Sequence, residues 1–147
     1  QMAELDINAS DFITELSQSG SGNGAAISQT GMALMAVVSQ SGGDMATLTQ
    51  HGTGHSITLT QDGGATATLN QSGGPQALSL SQSGGDVAMI AQRGASGSLD
   101  VVQSGGSSLT LDIDGGGSHS ISQSGGETQM GLEVSTNAPT GITISQY

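Results

Sequence analysis

Residues 81–94, Ser81-Gln82-Ser83-Gly84-Gly85-Asp86-Val87-Ala88-Met89-Ile90-Ala91-Gln92-Arg93-Gly94, hold one short alternating run between two glutamines, each followed two residues later by glycine. Ala88, Ile90 and Gln92 share one parity, and Val87, Met89 and Ala91 share the other. A period of two is the signature of a strand, and the Gly-Gly pair supplies the backbone freedom of a tight turn. The segment therefore reads as turn, strand, turn, and nearly every other part of the chain is a variant of it.

Outward from this stretch, glutamine with glycine two positions on recurs at Gln18, Gln29, Gln40, Gln50, Gln61, Gln71, Gln82, Gln92, Gln103 and Gln123, with Gln146 next to Tyr147 as a further member. Two series interleave. Gln29, Gln50, Gln71 and Gln92 continue into Ile113 and Val134 in steps of 21, while Gln18, Gln40, Gln61, Gln82, Gln103, Gln123 and Gln146 advance in steps of 20 to 23 by subtraction. A fixed period in this range signals a stacked repeat architecture. Each repeat of about 21 residues holds two equivalent segments.

The positions two and four before each glutamine show which parity is buried. In the second series they are Ala36 and Val38, Ile57 and Leu59, Leu78 and Leu80, Leu99 and Val101, and Ile142 and Ile144, with His119 and Ile121 as the exception. In the first series the nearer position is Ile27, Leu48, Leu69, Ile90, Leu111 or Leu132. The farther is Ala25, Ala46, Ala67 and Ala88, then Leu109 and Met130. Bulk on one sheet set against alanine on the other is expected of two sheets that interdigitate about 10 Å apart. The opposite parity is polar, as in Thr47 and Thr49, Thr58 and Thr60, or Ser79 and Ser81, and meets water.

The resulting expectation is an all-β protein, a β-solenoid of two stacked sheets in cross-β arrangement, with about six strand-turn-strand repeats of ~21 residues plus a final strand. The repeats span residues 12–147, and residues 1–11, which carry no glutamine mark, read as a loose, flexible leader. Turn glycines are expected at Gly20, Gly31, Gly42, Gly52, Gly63, Gly73, Gly84, Gly94, Gly105 and Gly125. The glutamines share the inward parity, and a buried amide must be paired. A ladder of identical amides, each bonding the next rung, meets that need.

Composition narrows the function. One Phe, one Tyr and no Trp stand against 25 Gly, so an aromatic-rich globular core is not available. The formal charge is −11, with Arg93 the only Lys or Arg, which argues against nucleic acid and anionic membranes as partners. No apolar run approaches a membrane span, so membrane insertion is not expected. Cysteine is absent, so disulfides are excluded. The opening residues Gln1 to Asp6 do not read as a signal peptide, which leaves open both a chain already processed and one never exported.

The first and last repeats decide what the stack does. Phe12, Thr14 and Leu16 at one end, and Met130, Leu132, Val134, Ile142 and Ile144 at the other, would present open strands with few charges. An exposed flat strand is a template for further pairing, and a heterologous contact that does not close generates a filament. Head-to-tail stacking of the chain on itself would continue both sheets and their ladders.

Gln18-Ser19-Gly20-Ser21-Gly22-Asn23-Gly24-Ala25-Ala26-Ile27-Ser28-Gln29 fits the curlin repeat, Q-x-G-x-G-N-x-A-x3-Q, in full. Gln40 to Gln50, Gln61 to Gln71 and Gln82 to Gln92 resemble the same unit shortened by one residue and without its asparagine, which removes a second possible ladder. The resemblance covers residues 12–147. It implies a secreted, extracellular subunit of curli, the functional amyloid fibres of bacterial biofilm matrix and surface adhesion. It also implies a nucleator subunit and the outer-membrane curli secretion machinery as partners. Residues 12–17 and 36–38 are similar to the nucleating subunit, whereas Gln146-Tyr147 and the acidic composition are on the side of the major subunit.

Catalytic and metal chemistry find little support. His51, His55 and His119 are the only imidazoles and belong to no Ser-His-Asp set. Histidines in a joint are expected to be solvated, and His119, on the inward parity, is the odd one. Asp112 and Asp114 precede Gly115-Gly116-Gly117, but a calcium β-roll would repeat its acid at every turn. Asp44, Asp62, Asp86 and Glu127 lie singly in separate joints and read as solubilising charges. No enzyme activity, cofactor or metal is expected. The competing reading is a monomeric β-solenoid that binds ice or carbohydrate through outward rows of Thr47 and Thr49 and of Thr58 and Thr60.

Overall fold

In the computed structural model, which describes residues 1–94, 96–125, 129–135 (main chain only) and 141–147, the chain is all strand and turn, with fourteen strands and no helix among the described residues. Two seven-stranded parallel sheets share the strands alternately. One contains β1 (Met2–Ser10), β3 (Gly24–Met32), β5 (Met45–Thr53), β7 (Thr66–Gly73), β9 (Val87–Gly94), β11 (Ser108–Asp114) and β13 (Gln129–Ser135). The other contains β2 (Ile13–Ser19), β4 (Met35–Ser41), β6 (Ser56–Asp62), β8 (Gln76–Ser83), β10 (Gly97–Ser104), β12 (Gly117–Ser124) and β14 (Ile142–Gln146). Each coil lays one strand on each sheet, which is the β-solenoid expected from the repeat.

Register follows the glutamines. Gln29 pairs with Gln50, Gln50 with Gln71 and Gln71 with Gln92, and Ile113 and Val134 complete that column. In the other sheet Gln18, Gln40, Gln61, Gln82, Gln103, Gln123 and Gln146 form one continuous column. Register is held because one face is buried: a slip by one residue would send every aliphatic side chain to water. The aliphatic columns between the sheets, including Ile27, Leu48, Leu69, Ile90 and Leu111 on one side and Val38, Leu59, Leu80, Val101 and Ile121 on the other, form a single core cluster.

The segment expected to be a loose leader is instead a strand. Met2–Ser10 pairs with β3 along its whole length, from Met2 opposite Gly24 to Ser10 opposite Met32. Its alternation is real but unmarked: Ala3, Leu5 and Ile7 hold the inward parity, and Ile7 stands where later rungs place glutamine. The solenoid therefore includes Met2–Ser10 and does not begin at Phe12. Being covered on one side only, the end rungs expose inward residues such as Leu5 and Phe12, whereas Leu34, one rung above Phe12, is buried.

All ten glycines expected at turns have positive φ, from 79° at Gly20 to 138° at Gly31. At Gly52 the demand is double. Its φ is 134°, and a Cβ would lie 2.6 Å from the Gly73 carbonyl oxygen and 2.8 Å from His55 Nε2. Gly64 has a φ of 87° but nothing within 4 Å of the corresponding position. Gly64→Ala should cost only the left-handed backbone, about 1–2 kcal/mol. Gly52→Ala must also push two coils apart, and denaturant unfolding of the monomeric chain should show it clearly the less stable of the two.

Candidate functional site

Strand alternation points each glutamine into the space between the sheets, and strand spacing sets it one rung from its homologue. The amides are then within bonding distance by construction. In the first sheet Gln29 Nε2 donates to Gln50 Oε1 at 2.7 Å, Gln50 to Gln71 at 3.0 Å and Gln71 to Gln92 at 2.9 Å. In the second sheet the run is longer, from Gln18 through Gln40, Gln61, Gln82, Gln103 and Gln123 to Gln146, with distances of 2.9 to 3.3 Å. Those between Gln29 and Gln123 are buried, and only the end members Gln18 and Gln146 are partly open.

The second amide proton is also placed. Gln40 Nε2 donates across to the Gly24 carbonyl at 3.0 Å, Gln50 to Met35 at 3.0 Å, Gln61 to Met45 at 3.1 Å and Gln82 to Thr66 at 3.2 Å. Each such amide thus ties its own sheet along the stack and clasps the start of a strand in the facing sheet. Where the first ladder begins, Thr14 Oγ1 donates to Gln29 Oε1 at 2.6 Å, supplying the partner that Ile7 lacks.

A second set of buried polar side chains went unseen in the sequence. Asp44 and Asp86, expected to be solvated joint charges, are wholly buried. Asp86 Oδ2 accepts from Ser83 N in its own turn at 2.9 Å, and Oδ1 accepts from Gly106 N and Ser107 N of the next at 2.9 and 2.8 Å. Asp44 repeats the arrangement with Ser41 N, Gly64 N and Ala65 N. Asn23 Oδ1 accepts from Gly43 N and Asp44 N. These side chains are clamps between successive turns. The signal available in the sequence was their spacing of 21 residues, shared with Ala65 and Ser107. Asp62 does lie at the surface and accepts from Ser41 Oγ at 2.6 Å, while Glu127 lies outside the described residues.

The histidines divide. His51 is exposed, but His55, in the same joint, is buried, with Nε2 3.1 Å from the His51 carbonyl and Nδ1 unpartnered. Burial first, and the neighbouring His51 imidazole to a lesser degree, hold its pKa below the usual value against the opposing carbonyl contact. His119 is buried in β12 between Leu99 and Ile142 with neither ring nitrogen bonded, and burial lowers its pKa. Its rung carries Ile113 in place of a ladder glutamine. Asp112 is paired to Arg93 at 2.7 Å.

Among the residues expected to form open edges, Phe12 is exposed and Thr14, Leu16, Ile142 and Ile144 are half-buried. Met130, Leu132 and Val134 occupy β13 on the same side of the stack as β14, and their side chains lie outside the described ones. The threonine pairs fall on opposite sheets, Thr47 and Thr49 on β5 and Thr58 and Thr60 on β6, so they do not compose one flat array.

This architecture defines a class: a parallel β-solenoid whose coils are joined by inward amide ladders. Residues 14–42 match the family model described as the curlin associated repeat, which supports assigning the chain to the curlin-repeat family. No curated protein and no solved structure matches the chain. The family is structural rather than enzymatic, and its repeat on this fold fits a curli-like structural subunit. No helix among the described residues is long and apolar enough to cross a membrane.

Two substitutions test these environments. Asp86→Ala would strand three main-chain N–H groups, two of them in the next coil, and should cost about 2–4 kcal/mol in denaturant unfolding. Asp86→Asn, which keeps an acceptor, should cost less. For His119 the folded-state pKa lies below that of the unfolded chain, about 6.5. As pH falls from there through the folded pKa, the unfolded state takes up the proton first and stability is lost. His119→Leu should raise stability at neutral pH by about 1–3 kcal/mol and flatten the acid limb of a plot of melting temperature against pH.

Proposed function

We propose that this chain is a structural subunit of an extracellular bacterial functional amyloid fibre of the curli kind, joined head to tail through its end strands and serving biofilm matrix and surface adhesion. The observation that carries the reading is the second-sheet ladder, which runs from Gln18 at one edge to Gln146 at the other and leaves the outward amide atom of each without a partner among the described residues. Its strands are in one parallel register, so a further copy can be added by the same translation that relates the coils. Open edges of this kind recruit strands, and a translation that never closes gives a filament. The reading includes secretion to the cell surface, a nucleating subunit and an outer-membrane export apparatus, for which the support is the resemblance to the curlin repeat, and it has no catalytic role for the chain. In-register continuation would stack copies carrying −11 each, so assembly should speed up as salt screens them.

X-ray fibre diffraction from an aligned, aged sample of the purified chain is the direct test. A meridional reflection at about 4.7–4.8 Å with an equatorial one near 10 Å, together with seeds that abolish the lag, is the expected result. A chain that stays monomeric at high concentration and in high salt would overturn the reading.

A further inference from the structure

The ladders have a direction. In all nine rung-to-rung bonds the glutamine earlier in the chain donates through Nε2 and the later one accepts through Oε1. In Gln18, Gln40, Gln50, Gln61, Gln71, Gln82 and Gln103 a clasp from Nε2 to a carbonyl of the facing sheet fixes this orientation. An inverted Gln61 amide, for example, would turn its oxygen towards the Met45 carbonyl that now accepts its proton at 3.1 Å. The hydroxyl of Thr14, donating to Gln29 Oε1, is consistent with the same sense: where a ladder begins, the atom needing a partner is an acceptor.

In the second sheet no hydroxyl covers that position. Gln18 Oε1, at the edge of β2, has no hydrogen bond to a described residue, and at the edge of β14 Gln146 Nε2 has none either. One edge of the stack is left with an unmet acceptor and the other with an unmet donor. The first sheet differs. Its ladder positions are Ile7 at one edge and, by register, Val134 at the other, so neither presents an amide.

We infer that the β14 edge is a donor end and the β2 edge an acceptor end that recognise each other in a second copy of this chain, with Gln146 Nε2 donating to Gln18 Oε1 of the next copy. This rests on the assembly reading and adds its polarity and its register. With Gln146 over Gln18, Ile144 falls over Leu16, and in the other sheet Val134 falls over Ile7, apolar against apolar. A joint slipped by two residues would set the Gln146 amide against Leu16 and leave it unpaired. Joining two acceptor ends or two donor ends would leave like atoms facing. Only head-to-tail addition in one register satisfies both sheets, since unpaired buried amides are costly.

Gln146→Glu isolates the joint. It keeps the oxygen that accepts from Gln123 and replaces the outward donor by a second acceptor. Ser145→Glu adds the same charge one residue away on the outward parity. Two-colour microscopy of growing fibres, started from preformed wild-type seeds with a minor fraction of variant chain, reads each end separately. At pH 7 Gln146→Glu should add once to the donor end and then slow that end by at least about tenfold, leaving the acceptor end growing at the wild-type rate. Ser145→Glu should slow neither end selectively. Below pH ~4 the glutamic acid is protonated, regains a donor, and the block should lift. Equal growth of Gln146→Glu and Ser145→Glu, or equal blocking of both ends by Gln146→Glu, would overturn the directional joint while leaving assembly intact. Wild-type chain that fails to elongate its own seeds would overturn the assembly reading and the joint with it.

Discussion

A carboxamide removed from water needs partners for one oxygen and two protons, and this protein meets that need by translation. Each inward glutamine finds its partner in a copy of itself one coil away, and from Gln40, Gln50, Gln61, Gln71, Gln82 and Gln103 the remaining proton reaches a strand of the facing sheet. With 25 glycines and two aromatic residues in the chain, large side chains cannot be what aligns the two sheets. The amides do it. They fix the register of the aliphatic columns beside them, and those columns keep water from competing for the amides. Either set without the other would be weak.

The same logic explains where the ladder may lapse. Ile7, Ile113 and Val134 replace glutamine in the first sheet, and at the one junction where an amide oxygen would have been orphaned, Thr14 supplies a hydroxyl. Removing a polar group together with its partner is tolerable, whereas removing one alone is not. His119 shows the cost of a partial solution: an imidazole on the inward parity, in a rung with no first-sheet glutamine, keeps two unbonded nitrogens.

The repeat, the parity of its strands and the position of its glutamines were legible because they recur, and the fold follows from them almost directly. β1 was not legible, since Ile7 replaces the glutamine that marks every other early coil and the acids Glu4 and Asp6 dominate its outward face. Asp44 and Asp86 misled for a different reason. An aspartate beside glycines in a turn ordinarily faces water, and only the fact that the turns stack, presenting N–H groups from the next coil, makes a buried carboxylate favourable. His55 belongs with them: its joint closes over it because Leu34 and Gln76 fill the same column in the adjacent coils. What the sequence hides is contact between equivalent residues when their chemical types differ.

The clamps also limit how such a chain can grow by duplication. The clamp column runs Asn23, Asp44, Ala65, Asp86, Ser107, so no two carboxylates occupy adjacent coils. Buried charges one strand spacing apart would repel by roughly 3 kcal/mol at an effective dielectric of ~20, and twice that separation halves the repulsion. The turn that binds best can therefore not be copied into every coil. A lineage that multiplied this unit would have to keep its shape periodic while making its charge alternate, so sequence divergence between neighbouring repeats is a condition of their stacking rather than an erosion of it.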